Sequence, residues 1–286
     1  MSKINIVFFG EDSFSAVVLQ SLINAGYFVV LVMSPYYENI IHKRLELIAT
    51  KNNIPYFREK KINSQDVISK LKSANPNFII TAHFSKLLTS EVIRIPKYGC
   101  LNLHPSLLPN YRGMAPQHWP IINGDRKTGV TVHFINEEPD KGDIILQEII
   151  EIKPDMYVSD LQLKFLEIYR HIVVDALKFI EANEVQLISQ DHLQGSYYGK
   201  LKTSDCEINA NMTTEEAYAL IRAVSKPYHG AFIGNYIIWR AKRIDFQLEK
   251  SFIDQFEGIG ILFTSQGVYL KLKNGILEIT KHEKFT

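Results

Sequence analysis

The stretch Leu101-Asn102-Leu103-His104-Pro105-Ser106-Leu107-Leu108-Pro109 joins an apolar strand to a turn that ends in proline. Side chains alternate along a strand, so Asn102 and His104 present an amide and an imidazole on the same side. Pro105 has no N–H for a sheet ladder and favours extended backbone in the residue before it, which predicts that the strand ends at His104. The pair therefore lies at a carboxyl end, the edge at which open α/β sheets hold their sites.

Asn102 and His104 suit one kind of chemistry. An imidazole can move a proton near neutral pH, and an amide can hold a developing oxyanion. The later segment Pro139-Asp140-Lys141-Gly142-Asp143 adds a carboxylate, Asp140, that suits orienting the imidazole and stabilising its charged form. These three groups are a minimal apparatus for acyl transfer. An Asn-x-His pair alone is more often structural, so the assignment depends on the residues around it.

The composition of the 286 residues, 46% apolar and 22% charged, is ordinary for a soluble protein with one large domain and a smaller companion. A formal net charge of +1 gives no general attraction to a polyanion, unlike that of a dedicated nucleic-acid binder. The first apolar stretch, residues 4–9, is too short for a signal peptide or a membrane span, so we expect a cytoplasmic protein. Cys100 and Cys206 lack partners at metal-ligand spacing, and we expect both to be reduced thiols.

Strand-like and helix-like segments alternate along the first two thirds of the chain. We predict helices after Asp12 or Ser13 and after Ser64, a helix end at residues 48–53, and strands at residues 4–9, 28–33, 78–82 and 100–103. This alternation predicts a parallel sheet with helices on both faces. Apolar residues at helical spacing predict one long helix over residues 158–182, with its apolar stripe in the core.

The last third of the chain has a different pattern. Thr213-Thr-Glu-Glu216 predicts a capped helix, and β-like runs follow at residues 236–240, 259–264, 268–272 and 276–280. The predicted fold class is therefore α/β, with a Rossmann-like parallel-sheet domain over residues 1–195 and a smaller, mainly β domain, a barrel or sheet, over residues 196–286. A dinucleotide site is not expected, because the turn after the first strand has only Gly10 where a phosphate-cradling loop needs several glycines.

The residues that follow His104 form an ordered series of motifs. Residues 104–113 read His-Pro-Ser-Leu-Leu-Pro-Asn-Tyr-Arg-Gly, and Gly124-Asp125, Thr128-Gly129-Val130-Thr131 and Asp140-Lys141-Gly142-Asp143-Ile144 come after them. This series resembles the folate-dependent formyltransferases. Val7-Phe8-Phe9-Gly10 is similar to the opening strand and turn of that family. Residues 225–232, Ser-Lys-Pro-Tyr-His-Gly-Ala-Phe, are similar to a signature in the accessory domain of methionyl-tRNA and UDP-aminosugar formyltransferases.

The resemblance implies transfer of a formyl group from 10-formyltetrahydrofolate, as co-substrate, to an amine. The amine must lose a proton, the oxyanion must be held, and the folate nitrogen must gain a proton as it leaves. By the resemblance, Asn102 and His104 address the oxyanion, and His104 and Asp140 manage the protons. The path of each proton stays open at this point.

The resemblance also implies two sets of binding residues. The folate would be bordered by Lys86, Leu87, Leu88, Ser106, Leu107, Leu108, Pro109, Asn136, Glu137, Glu138 and Pro139. The acceptor would be bordered by Tyr111, Arg112 and Met114. For Leu107 and Leu108, packing in the core is the alternative. We expect no metal, because the spacing of His83, His104, His118 and His133 fits no ligand set.

Two acceptors dominate in this family, namely methionyl-tRNA and nucleotide-linked amino sugars. The tRNA enzymes carry a longer, basic loop after the second strand, whereas the residues after Ser34 run quickly into a predicted helix. From Lys200 onward, 12 Lys and Arg face 10 Asp and Glu, a weak surplus for gripping phosphates. The junction at residues 195–200, Gly-Ser-Tyr-Tyr-Gly-Lys, also looks like the sugar enzymes.

We therefore expect a sugar N-formyltransferase, a homodimer that serves surface polysaccharide or the O-antigen of lipopolysaccharide. UDP-aminoarabinose enzymes have Arg where this chain has Met114, which favours a dTDP-linked amino-deoxysugar by analogy. Methionyl-tRNA formyltransferase is the alternative. A formyltetrahydrofolate hydrolase is less expected, because such enzymes usually carry an N-terminal regulatory domain before the first strand. A nucleic-acid-binding module without catalysis would not need Asn102, His104 and Asp140 together.

Overall fold

The computed structural model describes residues 4–38, 42–191, 193–244 and 258–284. The chain divides into two units. The first comprises Met1–Gly113, Gly129–Ile150 and Lys164–Tyr197, and the second comprises Met114–Thr128, Glu151–Leu163 and Tyr198–Thr286.

Strands and helices alternate up to residue 104, as the sequence predicts. They are β1 (Asn5–Gly10), α1 (Ser13–Asn24), β2 (Phe28–Pro35), α2 (Lys43–Lys51), β3 (Tyr56–Glu59), α3 (Gln65–Ala74), β4 (Phe78–Ala82), α4 (Ser90–Ile93) and β5 (Cys100–His104). There follow β6 (Arg112–Gly113), α5 (Trp119–Ile122), β7 (Lys127–Phe134), β8 (Ile144–Glu151), α6 (Val158–Tyr169), α7 (Ile172–Glu181) and β9 (Tyr197–Tyr198).

Seven strands form the main sheet, in the order β3-β2-β1-β4-β5-β7-β8. The pairs from β3 to β5 are parallel, and β7 is antiparallel to β5, so the sheet is parallel-dominated rather than wholly parallel. A parallel pair would require the chain to cross back over the sheet between the two strands. Here β7 begins at the edge where β5 ends, so the pair is antiparallel.

Both faces of β1 are buried. Val7 and Phe9 pack in one core cluster with Val67 and Leu71 of α3. The alternate residues of the strand point to the opposite face and are equally buried, Phe8 among them. This two-sided burial explains why β1, β4 and β5 are near-continuous apolar runs in the sequence.

The N-cap of helix α1 is Asp12, one of the two caps expected from the sequence, and the helix itself begins at Ser13. The Asp12 Oδ1 accepts hydrogen bonds from the backbone N–H of Phe14 at 2.9 Å and of Ser15 at 2.8 Å. The Ser15 hydroxyl oxygen in turn accepts from the Asp12 N–H at 3.0 Å, which completes a capping box. The Ser64 cap of α3 is also confirmed.

The prediction of one long helix over residues 158–182 is wrong, because the helix breaks between α6 and α7. His171 has φ −138°, outside the helical region, and its Nδ1 lies 3.1 Å from the Asp175 carboxylate. The break contains neither glycine nor proline. The apolar spacing runs through it in phase, from Ile168 to Ile172, so periodicity alone could not reveal it. Both of these residues are buried, as expected for a core stripe.

The second unit contains a 3₁₀ turn (Thr203–Cys206), α8 (Thr214–Val224), β10 (Ala231–Ile233), β11 (Tyr236–Arg243), β12 (Gly260–Thr264), β13 (Gly267–Leu272) and β14 (Gly275–Lys284). Its five strands form an antiparallel sheet in the order β10-β11-β14-β13-β12. The expected Thr213–Glu216 capping box is confirmed, and tight turns join β12 to β13 and β13 to β14 in antiparallel hairpins.

Cys100 and Cys206 are free and buried. Burial raises the pKa of the Cys100 thiol to about 12 and that of Cys206 to about 11, so both are protonated at neutral pH. In the described ranges, no helix combines the length and the apolar character that crossing a lipid bilayer requires.

The Asp12 cap supports a prediction about stability. We expect Asp12→Ala to lower the free energy of unfolding by about 1 kcal/mol at pH 7, because two amide donors of α1 lose their acceptor. Asp12→Asn keeps an acceptor and is the matched control, with a smaller loss. Urea denaturation followed by circular dichroism measures both, and equal stability of Asp12→Ala and the wild type would contradict the assigned cap.

The charge of Asp12 adds a pH dependence. Burial raises the pKa of Asp12, but the attraction and hydrogen bond of the His83 ring and the amide hydrogen bonds outweigh it and hold the pKa below 3.8. The charged Asp12 carboxylate therefore stabilises the folded protein fully above pH 3.8. This stabilisation is lost as the pH falls through the lower pKa of Asp12 in the folded protein. The advantage of the wild type over Asp12→Asn should shrink in acid.

Candidate active site

Three side chains form a row across adjacent strands. Thr81 of β4 is in register with Asn102 of β5, and Asn102 is in register with His133 of β7. Opposed residues of neighbouring strands point to the same face of a sheet. The Thr81 hydroxyl donates to Asn102 Oδ1 at 2.6 Å, and Asn102 Nδ2 lies 3.1 Å from His133 Nε2. The amide at the predicted oxyanion position is thus held from both sides.

His133 is neutral at physiological pH. Its Nδ1 lies 2.7 Å from the carbonyl oxygen of Phe134, which can only accept, so Nδ1 carries the hydrogen. Burial lowers the pKa of His133 to about 4, despite the opposing attraction of Asp140. In this tautomer Nε2 is an acceptor. It therefore accepts a hydrogen bond from the Asn102 amide nitrogen.

His104 has the opposite tautomer. The ring is buried, and its Nε2 lies 2.8 Å from the carbonyl oxygen of Tyr111, so Nε2 carries the hydrogen. In the neutral ring the basic nitrogen is then Nδ1, which lies 3.6 Å from Asp140 Oδ1. A proton that binds to Nδ1 faces a carboxylate. Such an arrangement stabilises the imidazolium that a general base forms.

Asp140 joins the two residues, as the sequence predicts. Its Oδ2 accepts from the Gly113 N–H at 2.8 Å, and its Oδ1 lies 3.5 Å from Asn102 Nδ2 and 3.6 Å from His104 Nδ1. The carboxyl side chain is 16% exposed, so it remains partly open to a ligand. The amide, the imidazole and the carboxylate therefore converge on one place, with the atoms needed for acyl transfer.

The Asp140 segment belongs to the β7–β8 connection, which folds back over the sheet. The Gln190 side chain donates to the carbonyl oxygens of Asp140 at 2.9 Å and of Gly142 at 2.7 Å. A Cβ at Gly142 would collide with the carbonyl of Phe134, so only glycine fits this close approach. The close approach to Phe134 explains why the residue two positions after Asp140 is a glycine.

The segment after β5 is held by the Thr131 hydroxyl. It donates to the Ser106 carbonyl at 2.7 Å, and its oxygen accepts from the Leu108 N–H at 3.2 Å. The Ser106 hydroxyl donates to Asn110 O at 2.7 Å. Leu108 is buried and Leu107 is half-buried. Leu108 therefore packs in the core, and contact of residues 106–109 with a folate remains a prediction.

The remaining residues of the predicted folate set are mostly exposed. Lys86 and Leu87 follow β4 and project outward, whereas Leu88 packs against the core. Asn136, Glu137, Glu138 and Pro139 precede Asp140 and are exposed. Glu137 pairs with Arg94 at 2.9 Å, and Glu138 pairs with Lys141. Folate binding by these residues remains a prediction.

The predicted acceptor residues differ in their surroundings. Arg112 is buried, and its Nη2 donates to the Gln194 carbonyl at 2.9 Å, so its guanidinium points into the protein. Tyr111 is buried, with φ 60°, and its N–H donates to the Ser196 hydroxyl at 2.9 Å. Met114 is 42% exposed and belongs to the second unit. Their contact with an acceptor remains a prediction.

Sequence reasoning missed Thr81 and considered His133 only as a metal ligand. Their contacts with Asn102 depend on strand register, which no motif records.

His83 and His118 lie in other networks, with His83 Nδ1 3.0 Å from Asp12 and His118 Nδ1 2.7 Å from the Ala223 carbonyl. Within the described residues, no group of three or more His, Cys, Asp or Glu is arranged to hold a metal ion.

Comparison with known proteins identifies the family. A family model described as formyl transferase matches residues 3–177, and one described as formyl transferase, C-terminal domain, matches residues 200–284. The methionyl-tRNA formyltransferase of Thermotoga maritima is 32% identical over 237 residues, which cover 80% of this chain and 76% of that protein.

Two solved structures share the fold. WlaRD, a sugar 3N-formyl transferase crystallised in the presence of dTDP and 5-N-formyl-THF, has a TM-score of 0.71 and 20% identity, with 98% of this chain and 100% of that chain covered. The N-formyltransferase from Helicobacter canadensis, in complex with folinic acid and dTDP-3-aminofucose, has a TM-score of 0.71 and 18% identity, with 96% and 99% covered. Both family models match in order and together span most of the chain, so the protein belongs to the folate-dependent formyltransferase family and is a formyl-transferring enzyme.

Proposed function

We propose that the protein transfers the formyl group of 10-formyltetrahydrofolate to the amino group of a nucleotide-linked amino-deoxysugar. 10-Formyltetrahydrofolate is the formyl donor of this family and is the co-substrate here. The observation that carries the proposed catalytic centre is that Asn102 Nδ2 and His104 Nδ1 lie 3.5 Å and 3.6 Å from the same carboxylate oxygen, Asp140 Oδ1.

Each group has a distinct part in the proposed reaction. His104 Nδ1 receives the proton that the attacking amine loses, and Asp140 stabilises the imidazolium that results. The imidazolium then gives this proton to N10 of the folate as the bond between N10 and the formyl carbon breaks, so tetrahydrofolate leaves and His104 returns to its neutral form. The Asn102 Nδ2–H donates to the oxygen of the formyl group as negative charge develops on it. The Gly113 N–H holds the second carboxylate oxygen at 2.8 Å, so Asp140 keeps its orientation during the proton transfer.

The exposed residues after β4 fit the chemistry of the donor. Leu87 is 70% exposed, and such an apolar surface suits contact with a flat heterocycle. The neighbouring Lys86 ammonium, which lies 5.2 Å from the centre of the Tyr37 ring, suits the carboxylate tail of a folate. These contacts support the predicted folate-binding role of the segment.

The acceptor is argued from the connection between β2 and α2. β2 ends at Pro35 and α2 begins at Lys43, so the connection is only residues 36–42, of which 39–41 lie outside the described residues. Its sequence, Tyr-Tyr-Glu-Asn-Ile-Ile-His, contains no lysine or arginine. The tRNA enzymes, by contrast, carry a longer basic loop there. Residues 36–42 themselves therefore offer a tRNA acceptor arm no lysine or arginine for its phosphates, and Lys43 and Arg44, which follow, belong to α2.

Methionyl-tRNA formyltransferase is the second candidate, because the relative from Thermotoga maritima bears that name and is 32% identical. We favour the sugar because overall sequence identity does not by itself report on the acceptor. We further propose a dTDP-linked acceptor, a role in surface polysaccharide or the O-antigen of lipopolysaccharide, and a cytoplasmic homodimer. These stay predictions.

The acceptor is tested by supplying 10-formyltetrahydrofolate with dTDP-3-aminofucose, a UDP-aminosugar or charged initiator tRNA in parallel. We expect an N-formylated dTDP sugar, detected by mass spectrometry as a gain of one formyl group. Formyl-methionyl-tRNA as the only product would reject the sugar proposal.

The catalytic assignment predicts large losses from small changes. We expect His104→Ala and Asp140→Asn to lower kcat by about 10²–10⁴-fold, because each removes one part of the proton transfer. Circular dichroism should show an unchanged fold. A purified variant of either kind with wild-type turnover would contradict the proposed roles.

The backbone approach at Gly142 predicts an effect without removing a functional group. Gly142→Ala should lower kcat by about 10-fold or more, because its Cβ displaces the segment that carries Asp140. Gly199→Ala is the matched control, since its Cβ meets no atom within 4 Å. Equal kcat values for the two variants would argue against a rigid Asp140 segment.

A further inference from the structure

We infer that Thr81 and His133 are positioning residues that fix the Asn102 amide in one of its two orientations, with the nitrogen toward the site. The inference rests on the proposed function in one respect, the role of Asn102 as donor to the formyl oxygen. The orientation itself is a property of the row across β4, β5 and β7 and can be tested without any substrate.

The two ends of the amide differ chemically, so its orientation decides what the site can do. The nitrogen end donates two hydrogen bonds, and the oxygen end only accepts. An oxyanion needs a donor. If the Asn102 amide turned over, its oxygen would face the region of Asp140, and the site would present two oxygen acceptors to a developing negative charge.

Thr81 holds the oxygen end. Its hydroxyl is buried and donates to Asn102 Oδ1 at 2.6 Å, the shortest hydrogen bond made by the amide. The hydroxyl also lies 3.4 Å from the carbonyl oxygen of Leu101, which can only accept. A turned amide would present N–H groups to the Thr81 oxygen, and the Thr81 hydrogen would keep only the Leu101 carbonyl at 3.4 Å, so the short 2.6 Å bond favours the observed orientation at this end.

His133 holds the nitrogen end. Its Nδ1–H is committed to the Phe134 carbonyl at 2.7 Å, which leaves a lone pair on Nε2 directed at the Asn102 amide. In the turned orientation, Asn102 Oδ1 would meet this lone pair and the Asp140 Oδ1 together. Two contacts between acceptors are unfavourable, because lone pairs then face each other with no hydrogen between them.

The register explains why these two residues act on Asn102 and not on each other. Thr81 and His133 are both in register with Asn102, one on each neighbouring strand. The hydroxyl and the imidazole therefore approach the amide from opposite sides. The second Nδ2–H donates to Asp140 Oδ1 over a long Nδ2–Oδ1 distance of 3.5 Å, and it is the one that can turn to a formyl oxygen.

The first experiment measures the tautomer of His133 by ¹⁵N NMR on protein labelled at histidine. We expect a protonated Nδ1 and an unprotonated Nε2, unchanged between pH 8 and pH 5, with the signals assigned by their loss in His133→Gln. A protonated Nε2 at pH 8 would overturn the inference, because the nitrogen could then not accept from Asn102.

The second experiment uses Thr81→Val, which replaces the hydroxyl by a methyl group of similar size. With 10-formyltetrahydrofolate and the acceptor that gives product in the parallel assay, we expect kcat to fall about 10- to 100-fold with little change in KM for the donor. Thr81→Ser keeps the hydroxyl and should restore most of the rate. Thr128→Val is the control, because the buried Thr128 hydroxyl has no hydrogen-bond partner in the described structure.

A double-mutant cycle separates positioning from an independent role. If Thr81 acts through the amide, Thr81→Val should cost nothing further in an Asn102→Ala background. An equal cost in both backgrounds, or wild-type kcat for Thr81→Val alone, would overturn the inference. Wild-type turnover by Asn102→Ala would instead contradict the proposed function, and the His133 spectrum would still decide how the amide is oriented.

Discussion

The antiparallel register of β7 on β5 is the constraint on which the site depends. It places His133 opposite Asn102 and Thr131 opposite His104. If β7 slipped by one residue along β5, His133 and Thr131 would turn to the other face of the sheet, and Val132 would lie opposite Asn102. The same register serves two purposes, because His133 holds the amide and Thr131 holds the backbone of the segment after β5.

Two imidazoles lie beside one carboxylate, yet they are not equivalent. His133 uses its hydrogen inside the protein and is neutral through burial, so it acts as a fixed acceptor. His104 uses its hydrogen on the Tyr111 carbonyl and turns its basic nitrogen toward Asp140. Local hydrogen bonds thus assign one ring to holding a neighbour and the other to proton transfer. This division follows the general rule that environment sets the role of chemically identical groups.

The sequence predicted the elements with local signals. Asp12, Ser64 and Thr213 act as helix caps because each supplies an oxygen to nearby backbone N–H groups, an interaction confined to a few residues. The signal for the end of β5 at His104 is equally local, because it comes from the next residue, Pro105. The meeting of Asn102, His104 and Asp140 was predicted from spacing and resemblance together.

The features that the sequence did not predict depend on distant pairing. The break between α6 and α7 lies at Arg170 and His171, where no glycine or proline interrupts the apolar spacing. The role of Thr81 requires that β4 and β5 align Thr81 with Asn102, and a single sequence does not state register. Arg112 was assigned to the acceptor from its motif, but burial of its side chain depends on the Gln194 carbonyl, more than eighty residues later.

The choice of acceptor has to be made outside the row of Thr81, Asn102 and His133. The chemistry there requires only an amine and a formyl carbon, and it is the same for a sugar amine and for the amine of methionyl-tRNA. The 32% identity with the Thermotoga maritima enzyme over 237 residues therefore reports the shared reaction. A polyanionic acceptor needs cations along its path. Residues 36–42 contain the acidic Glu38 and no lysine or arginine. For that reason the proposal of a sugar acceptor rests on the connection between β2 and α2 and not on overall identity.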